Sequence, residues 1–209
     1  MVINKQSGLT VHPGGGNNTD TLVNALIYYK KTLSDDDIRP GIVHRIDKDT
    51  SGLMLVAKDN KTHELLADMF KHKKVYREYI ALVDGVITNN TGIIDAPIGR
   101  DETKRKQMMV KEKNSKKAIT HFKVLKRYEN NTLLSLVLET GRTHQIRVHM
   151  AYIGYPIHND PVYNNKKSTE FGQFLHSSKI RFIHPITNEE LEFTKEVPKY
   201  FQDYLNSID

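Results

Sequence analysis

The sequence predicts an α+β fold with a largely antiparallel sheet. Two observations carry this. Short strand-like runs of alternating or β-branched residues outnumber helical segments, of which only two or three are convincing. The runs also follow one another through short turns, so hairpins outnumber strand–helix–strand units. A hydrophobic share of 38% is enough to bury a sizeable core, and 209 residues are enough for one large domain, 1–209, or two small ones.

The elements follow in order. VINK and GLTVHP read as short strands around a turn. Thr19 or Asp20 caps a helix reaching about Lys31, with Leu22, Leu26 and Tyr29 on one side. LSDDDIRPG is a polar connection. GIVHRI reads as a strand entering the run HRIDKDTSG, and LMLVAK as one leaving it. Asp59 or Asn60 caps a second helix whose Leu65, Leu66, Met69 and Phe70 are spaced for one buried face. VYREYIALV, AITHFKVL and TLLSLVLE are strand-like, the last placing Leu134, Leu136 and Leu138 on one side. GRTHQIRVHMAYIG reads as a turn and a helix with Ile146, Met150 and Ile153 inward. IRFI and LEFT form a late hairpin around HPITNEE. PKYFQDYLNS closes as a helix packing Phe201, Tyr204 and Leu205.

Composition narrows the function. There is no cysteine, hence no disulfide and no thiolate metal site. The N-terminus lacks the apolar region of a secretory signal, and no long apolar run spans a membrane. These features predict a cytoplasmic protein. Net charge is +6, but from Arg100 to Arg127 eleven Lys or Arg face three acids, a local excess of +8. An excess larger than the whole net charge is the footprint of a polyanion-binding surface.

HRIDKDTSG, His44 to Gly52, admits three readings. DKDTSG imitates the opening of a calcium loop, but the position of the closing glutamate holds Lys58 and the flanks are strand-like. A transition-metal site is poorly served, because His144 and His149 stand five apart and do not share a helix face. The third reading is a strand-to-loop turn presenting one carboxylate. Gly52 gives the backbone freedom, and Thr50 and Ser51 fix the loop by short hydrogen bonds. An Asp47 carboxylate inside a cleft needs a positive partner, and Arg45, Arg142 and Arg147 are available. On these residues alone, a turn merely capped by Asp47 and Asp49 is equally good.

HRIDKDTSGLMLVAK resembles the central motif of the RluA family of pseudouridine synthases. NKQSGLTVHPGGG and TLVNAL resemble that family's opening segment, and REYIALVDG its tyrosine strand. ETGRTHQIRVHMAYIGYPIHNDPVY resembles its arginine-bearing segment, and LHSSKIRFIHP its closing strand. The matches run in family order along nearly the whole chain. The resemblance implies the pseudouridine synthase fold: a bent, mixed, mainly antiparallel sheet with flanking helices and a central RNA-binding cleft. It implies isomerisation of specific uridines, in 23S ribosomal RNA first and transfer RNA as the alternative, with no metal, no organic cofactor and no membrane partner.

By position, the resemblance makes Asp47 the nucleophile, with attack on the ribose or the ring left open. Tyr79 packs on the uracil and Arg147 pairs with the aspartate. Arg45 displaces the base from the stack. His44, Thr50, Ile146 and Arg142 join Arg45 as substrate-binding positions, Ile146 as apolar wall. Asp49 has no catalytic counterpart. The chemistry agrees: extruding a nucleotide costs a few kcal/mol, which a guanidinium wedge offsets by stacking. The basic segment then supplies Arg100, Lys104, Arg105, Lys106, Lys116 and Lys117 to phosphates, giving affinity without sequence readout.

Departures from the family pattern are Gln6 in a proline place and Asn159 in a glycine place. The S4-type RNA-binding domain that members often carry is expected to be absent, which leaves substrate selection and the completeness of the first strand open. A non-catalytic RNA-binding or ribosome-assembly protein of the same fold, and a metal-dependent phosphoesterase using Asp47 and Asp49, are the rival readings.

Overall fold

The computed structural model describes residues 1–14, 19–29, 33–34, 39–104, 107–166 and 168–209. In chain order the first elements are β1 (Val2–Lys5), α1 (Leu22–Tyr29), β2 (Ser51–Leu55) and α2 (Asn60–Lys71). Next come β3 (Tyr76–Asp84), β4 (Thr91–Asp95), β5 (Ile98–Arg100), β6 (Met108–Val110) and β7 (Ser115–Lys116). The last are β8 (Ile119–Arg127), β9 (Asn131–Leu138), α3 (Gln145–Tyr152), β10 (Leu175–Ile183), β11 (Glu190–Thr194) and α4 (Lys199–Ser207). The chain divides into two compact units, Met1–Arg77 with Ser177–Glu196, and Glu78–His176 with Val197–Asp209.

In the first unit β1 pairs antiparallel with β2, and β10 with β11 around the predicted hairpin. Leu53 and Leu55 of β2, Leu66 and Met69 of α2, and Ile180 and Phe182 of β10 form its core. Asp59 caps α2 as expected, its side chain accepting the Thr62 N–H at 2.8 Å.

Three local expectations are corrected. GIVHRI forms only one bridge among the described residues, Ile42 to Val56. The reason is a side chain: the Leu55 N–H is taken at 2.8 Å by His44 Nε2 instead of a backbone carbonyl. GLTVHP is not a strand, because the carbonyls of Thr10 and Val11 accept the Leu22 and Val23 N–H groups at the start of α1. That helix is capped by Thr21 rather than Thr19 or Asp20, in a reciprocal pair with Asn24. Tyr29 faces solvent, and Lys31 lies outside the described residues.

In the second unit the strand order is β3-β9-β8-β4, antiparallel throughout. Leu82 packs against Phe174, Phe201 and Leu205, which seats α4. A separate sheet, β6-β5-β7, rises from the basic segment. Its Ile98, Met108 and Val110 pack with Ala118 against Val148 and Tyr163. Charge counting alone does not reveal that apolar face. Helix α3 has no inward stripe: every residue from Gln145 to Met150 is buried, while Ile153 is only partly so.

Candidate active site

The aspartate loop belongs to the first unit. It leaves the Ile42–Val56 bridge, turns at Lys48 and Asp49, and enters β2. Thr50 is buried and its N–H closes the turn on the Asp47 carbonyl at 3.2 Å. Asp47 itself is half-buried. Gly52 sits at φ +110°, and a Cβ there would overlap the Ser177 carbonyl oxygen, so only glycine lets β2 approach β10 this closely.

Lys5 fastens the loop from beneath. At 2% exposure its Nζ donates to the carbonyls of Gln6, Leu9 and Lys48 at 2.8, 2.9 and 2.7 Å. Burial pushes its pKa down to about 8, while the charges of Asp49 and then Asp47 pull it back up. Ser7 adds a hydrogen bond to the Asp49 carbonyl at 3.0 Å. Asp47 is therefore carried on a loop whose backbone oxygens are held by a buried cation. Sequence reasoning missed Lys5, since a lone lysine in a strand reads as surface.

Arg45 is exposed, and its Nη1 lies 3.0 Å from His12 Nε2. His12 Nδ1 in turn lies 2.9 Å from the Pro13 carbonyl, so it donates there and leaves Nε2 as acceptor for the guanidinium. His44, expected at the substrate, uses Nε2 on the Leu55 N–H and stacks on Phe70 at 4.4 Å. Burial, aided by the Arg77 cation, pushes its pKa down to about 3, so the ring is neutral.

Tyr79 and Arg147 belong to the second unit. Tyr79 lies on β3 opposite Leu136 and is 5% exposed. Arg147 is buried on α3 and clamped in two places by Asp160, Nε to Oδ2 at 2.7 Å and Nη2 to Oδ1 at 2.8 Å. Its guanidinium also lies 5.1 Å above the Tyr163 ring. The N–H groups of Val162 and Tyr163 hold Asp160 Oδ1. Two-point pairing fixes the plane of the guanidinium as well as its position.

Asp160 and Tyr163 were not predicted, yet their signal was present in HNDPVY. Asn159 adopts φ +61°, which explains why a glycine place can hold asparagine. The turn before α3 is fixed by Gln145, whose Oε1 accepts from Thr140 and the Arg142 N–H. Ile146 is buried beside Arg147 in the sequence.

Arg142 donates Nε to the Lys117 carbonyl at 2.9 Å, tying the turn to the basic segment. Arg100, Lys104, Lys116 and Lys117 are exposed there, and Arg105 and Lys106 lie outside the described residues. His149 spends both ring nitrogens on Thr120 and the Ala96 carbonyl, a structural use. Among the described residues no three His, Cys, Asp or Glu converge to hold a metal ion, and no helix is long and apolar enough to cross a membrane.

Comparison with known proteins adds to this geometry. Residues 1–152 match the family model described as RNA pseudouridylate synthase. An uncharacterized RNA pseudouridine synthase of Bacillus subtilis, YlyB, is 48% identical over 211 residues, covering 100% of this chain and 69% of that protein. Proteins named ribosomal large subunit pseudouridine synthase D are similar at 42% in Zymomonas mobilis, covering 97% and 68%, and at 41% in Haemophilus influenzae, covering 100% and 68%. The structure of human RNA pseudouridylate synthase domain containing 1 superposes with a TM-score of 0.80 at 26% identity, over 100% of this chain and 82% of that one. That of domain containing 4 shares the fold, with a TM-score of 0.77.

Proposed function

The chain belongs to the RNA pseudouridylate synthase family, and from that premise we propose that it isomerises specific uridines of 23S ribosomal RNA, with Asp47 as the nucleophile. The fold is the α+β fold of that family, and the activity is that of an isomerase acting on RNA. The large-subunit substrate is supported by the names of the relatives.

The observation that carries the role of Asp47 is its loop, closed by Thr50 and held at Lys48 by buried Lys5. Isomerisation breaks the C1′–N1 glycosidic bond, joins C1′ to C5, gives N1 a proton and releases the C5 proton. Nothing enters from a co-reactant. Such a sequence needs a carboxylate in a fixed place, because a well-oriented nucleophile lowers the barrier without new chemistry. By the family resemblance Tyr79 offers an aromatic surface to the uracil and Arg147, which Asp160 holds rigid, is the basic residue. Arg45, steadied by His12, is the exposed guanidinium able to stack where the nucleotide has left. The cations of β5 to β7 meet phosphates.

Mapping pseudouridine in total RNA with and without the gene tests the substrate. Loss of defined sites in 23S ribosomal RNA is expected; loss confined to transfer RNA would overturn the ribosomal assignment.

A further inference from the structure

One oxygen of the second unit, the Tyr163 hydroxyl, joins the small basic sheet to the surroundings of Arg147. The N–H of Met108, the first residue of β6, donates to it at 2.9 Å. His144 Nδ1, at the cap of α3, lies 2.8 Å from the same oxygen. The Tyr163 backbone N–H donates to Asp160 Oδ1 at 3.1 Å, the oxygen that also accepts from Arg147 Nη2. The Arg147 guanidinium lies 5.1 Å above the Tyr163 ring. Three contacts thus lead from Tyr163 toward Arg147 or the start of its helix, and the fourth leads to the sheet.

The sheet needs such a tie. Its strands β5, β6 and β7 have only 3, 3 and 2 residues, too few to hold a position alone. It rests on Val148 and the Tyr163 ring through Ile98, Met108 and Val110. Apolar contact is non-directional and lets one surface slide on another. A hydrogen bond is directional, so it sets a register. Arg142 ties the sheet just beyond β7, at the Lys117 carbonyl, and the Tyr163 hydroxyl ties it at β6. Arg100 and Lys116 lie exposed in this sheet, with Lys117 next in sequence. A phosphate gripped there is therefore placed, through one oxygen, relative to Arg147.

We infer that Tyr163 is a positioning residue for the reaction: its hydroxyl fixes where the RNA backbone, gripped by the basic sheet, lies relative to Arg147. This rests on the proposed reaction with Arg147 as its basic residue and is independent of which residue attacks. Binding energy from phosphates remote from the reacting base is then spent on orienting the target nucleotide, rather than on affinity alone. Without the hydroxyl the sheet still grips RNA, but its grip no longer sets the place of the nucleotide.

The test measures tritium release from 23S ribosomal RNA carrying 5-tritiated uridine, with RNA affinity measured alongside. Four proteins are compared: the wild type, Tyr163→Phe, Lys116→Ala with Lys117→Ala, and all three substitutions together. Rates are read at a temperature where circular dichroism shows every variant folded. Tyr163→Phe keeps the ring under Arg147 and every RNA-gripping cation. It is expected to lower kcat roughly tenfold or more, as for a misplaced substrate, with affinity within a few-fold of the wild type. In the wild type, loss of the two lysines raises KM and lowers kcat. In Tyr163→Phe the same loss raises KM by the same factor and lowers kcat no further.

An unchanged kcat in Tyr163→Phe would overturn the inference, even with a lower melting temperature, because the hydroxyl would then serve stability alone. So would a lysine effect on kcat of equal size with and without the hydroxyl, which would mean that the sheet and Arg147 act separately. A Tyr163→Phe defect confined to affinity would also overturn it, by making the hydroxyl an RNA contact. Absence of release from the wild type would sink the proposed reaction and this inference with it. Equal release from the wild type and Tyr163→Phe would sink this inference alone.

Discussion

Lys5 carries its charge where charge is disfavoured, and its three carbonyl partners explain why it is tolerated. Its pKa falls from 10.5 to about 8. Between those values the unfolded chain holds a proton that the folded chain has released. Stability from this group therefore rises with pH through that window and is lost as pH falls toward 8. Function moves the other way: a neutral amine has too few hydrogens for three carbonyls, so the aspartate loop loosens. Turnover is expected to decline on the alkaline side with a midpoint near 8, and Lys5→Met should lose that limb and be slow at every pH. Identical alkaline limbs in both proteins would refute the link. Asp160 is the second residue to test. Asp160→Asn removes one half of a buried pair, which costs about 3–5 kcal/mol, and should lower kcat more than it raises KM. Denaturant melts and steady-state rates measure both.

At the scale of elements, two backbone positions decide whether the site forms. Gly52→Ala places a Cβ against the Ser177 backbone, so neither side can yield. It should be far more destabilising than Gly154→Ala, where φ is +87° but nothing lies within 4 Å. At Asn159 both Gly and Ala lose the side-chain bonds to Thr169 and Gly172. Only Ala adds left-handed strain, so Ala should be worse than Gly by about 1–2 kcal/mol. Equal melting temperatures for the two variants would contradict this. These positions also show what the sequence could reveal. Periodicity found α2, α4, β8, β9 and the β10–β11 hairpin, because each has one buried face. It failed at GIVHRI, where a histidine nitrogen substitutes for a ladder carbonyl, and at GLTVHP, whose carbonyls serve a helix start. At α3 it found the helix and the buried Ile146 and Met150, but not that every residue from Gln145 to Met150 is buried nor that Ile153 is only partly so.

At the scale of the molecule, charge and motif were legible and support was not. The +8 excess was visible by counting, but not the three strands that display it over Ile98, Met108 and Val110. Lys116→Ala with Lys117→Ala should lower the salt slope of RNA binding by about 0.7–0.9 for each phosphate no longer neutralised, uniformly across RNA sequences. The residues given roles by resemblance, Asp47, Tyr79 and Arg147, each occupy a defined place in the fold. Of those that hold them, Lys5 emerged only from the structure, because a buried donor and its carbonyls leave no periodic trace, while Asp160 and Tyr163 stand in the HNDPVY run but their partner Arg147 was not legible there. The decisive measurement is tritium release from 23S ribosomal RNA carrying 5-tritiated uridine, read for the wild type and Asp47→Asn alongside RNA affinity. Release that vanishes in Asp47→Asn while affinity stays within a few-fold is the predicted result. Release at the wild-type rate from that variant would contradict the account.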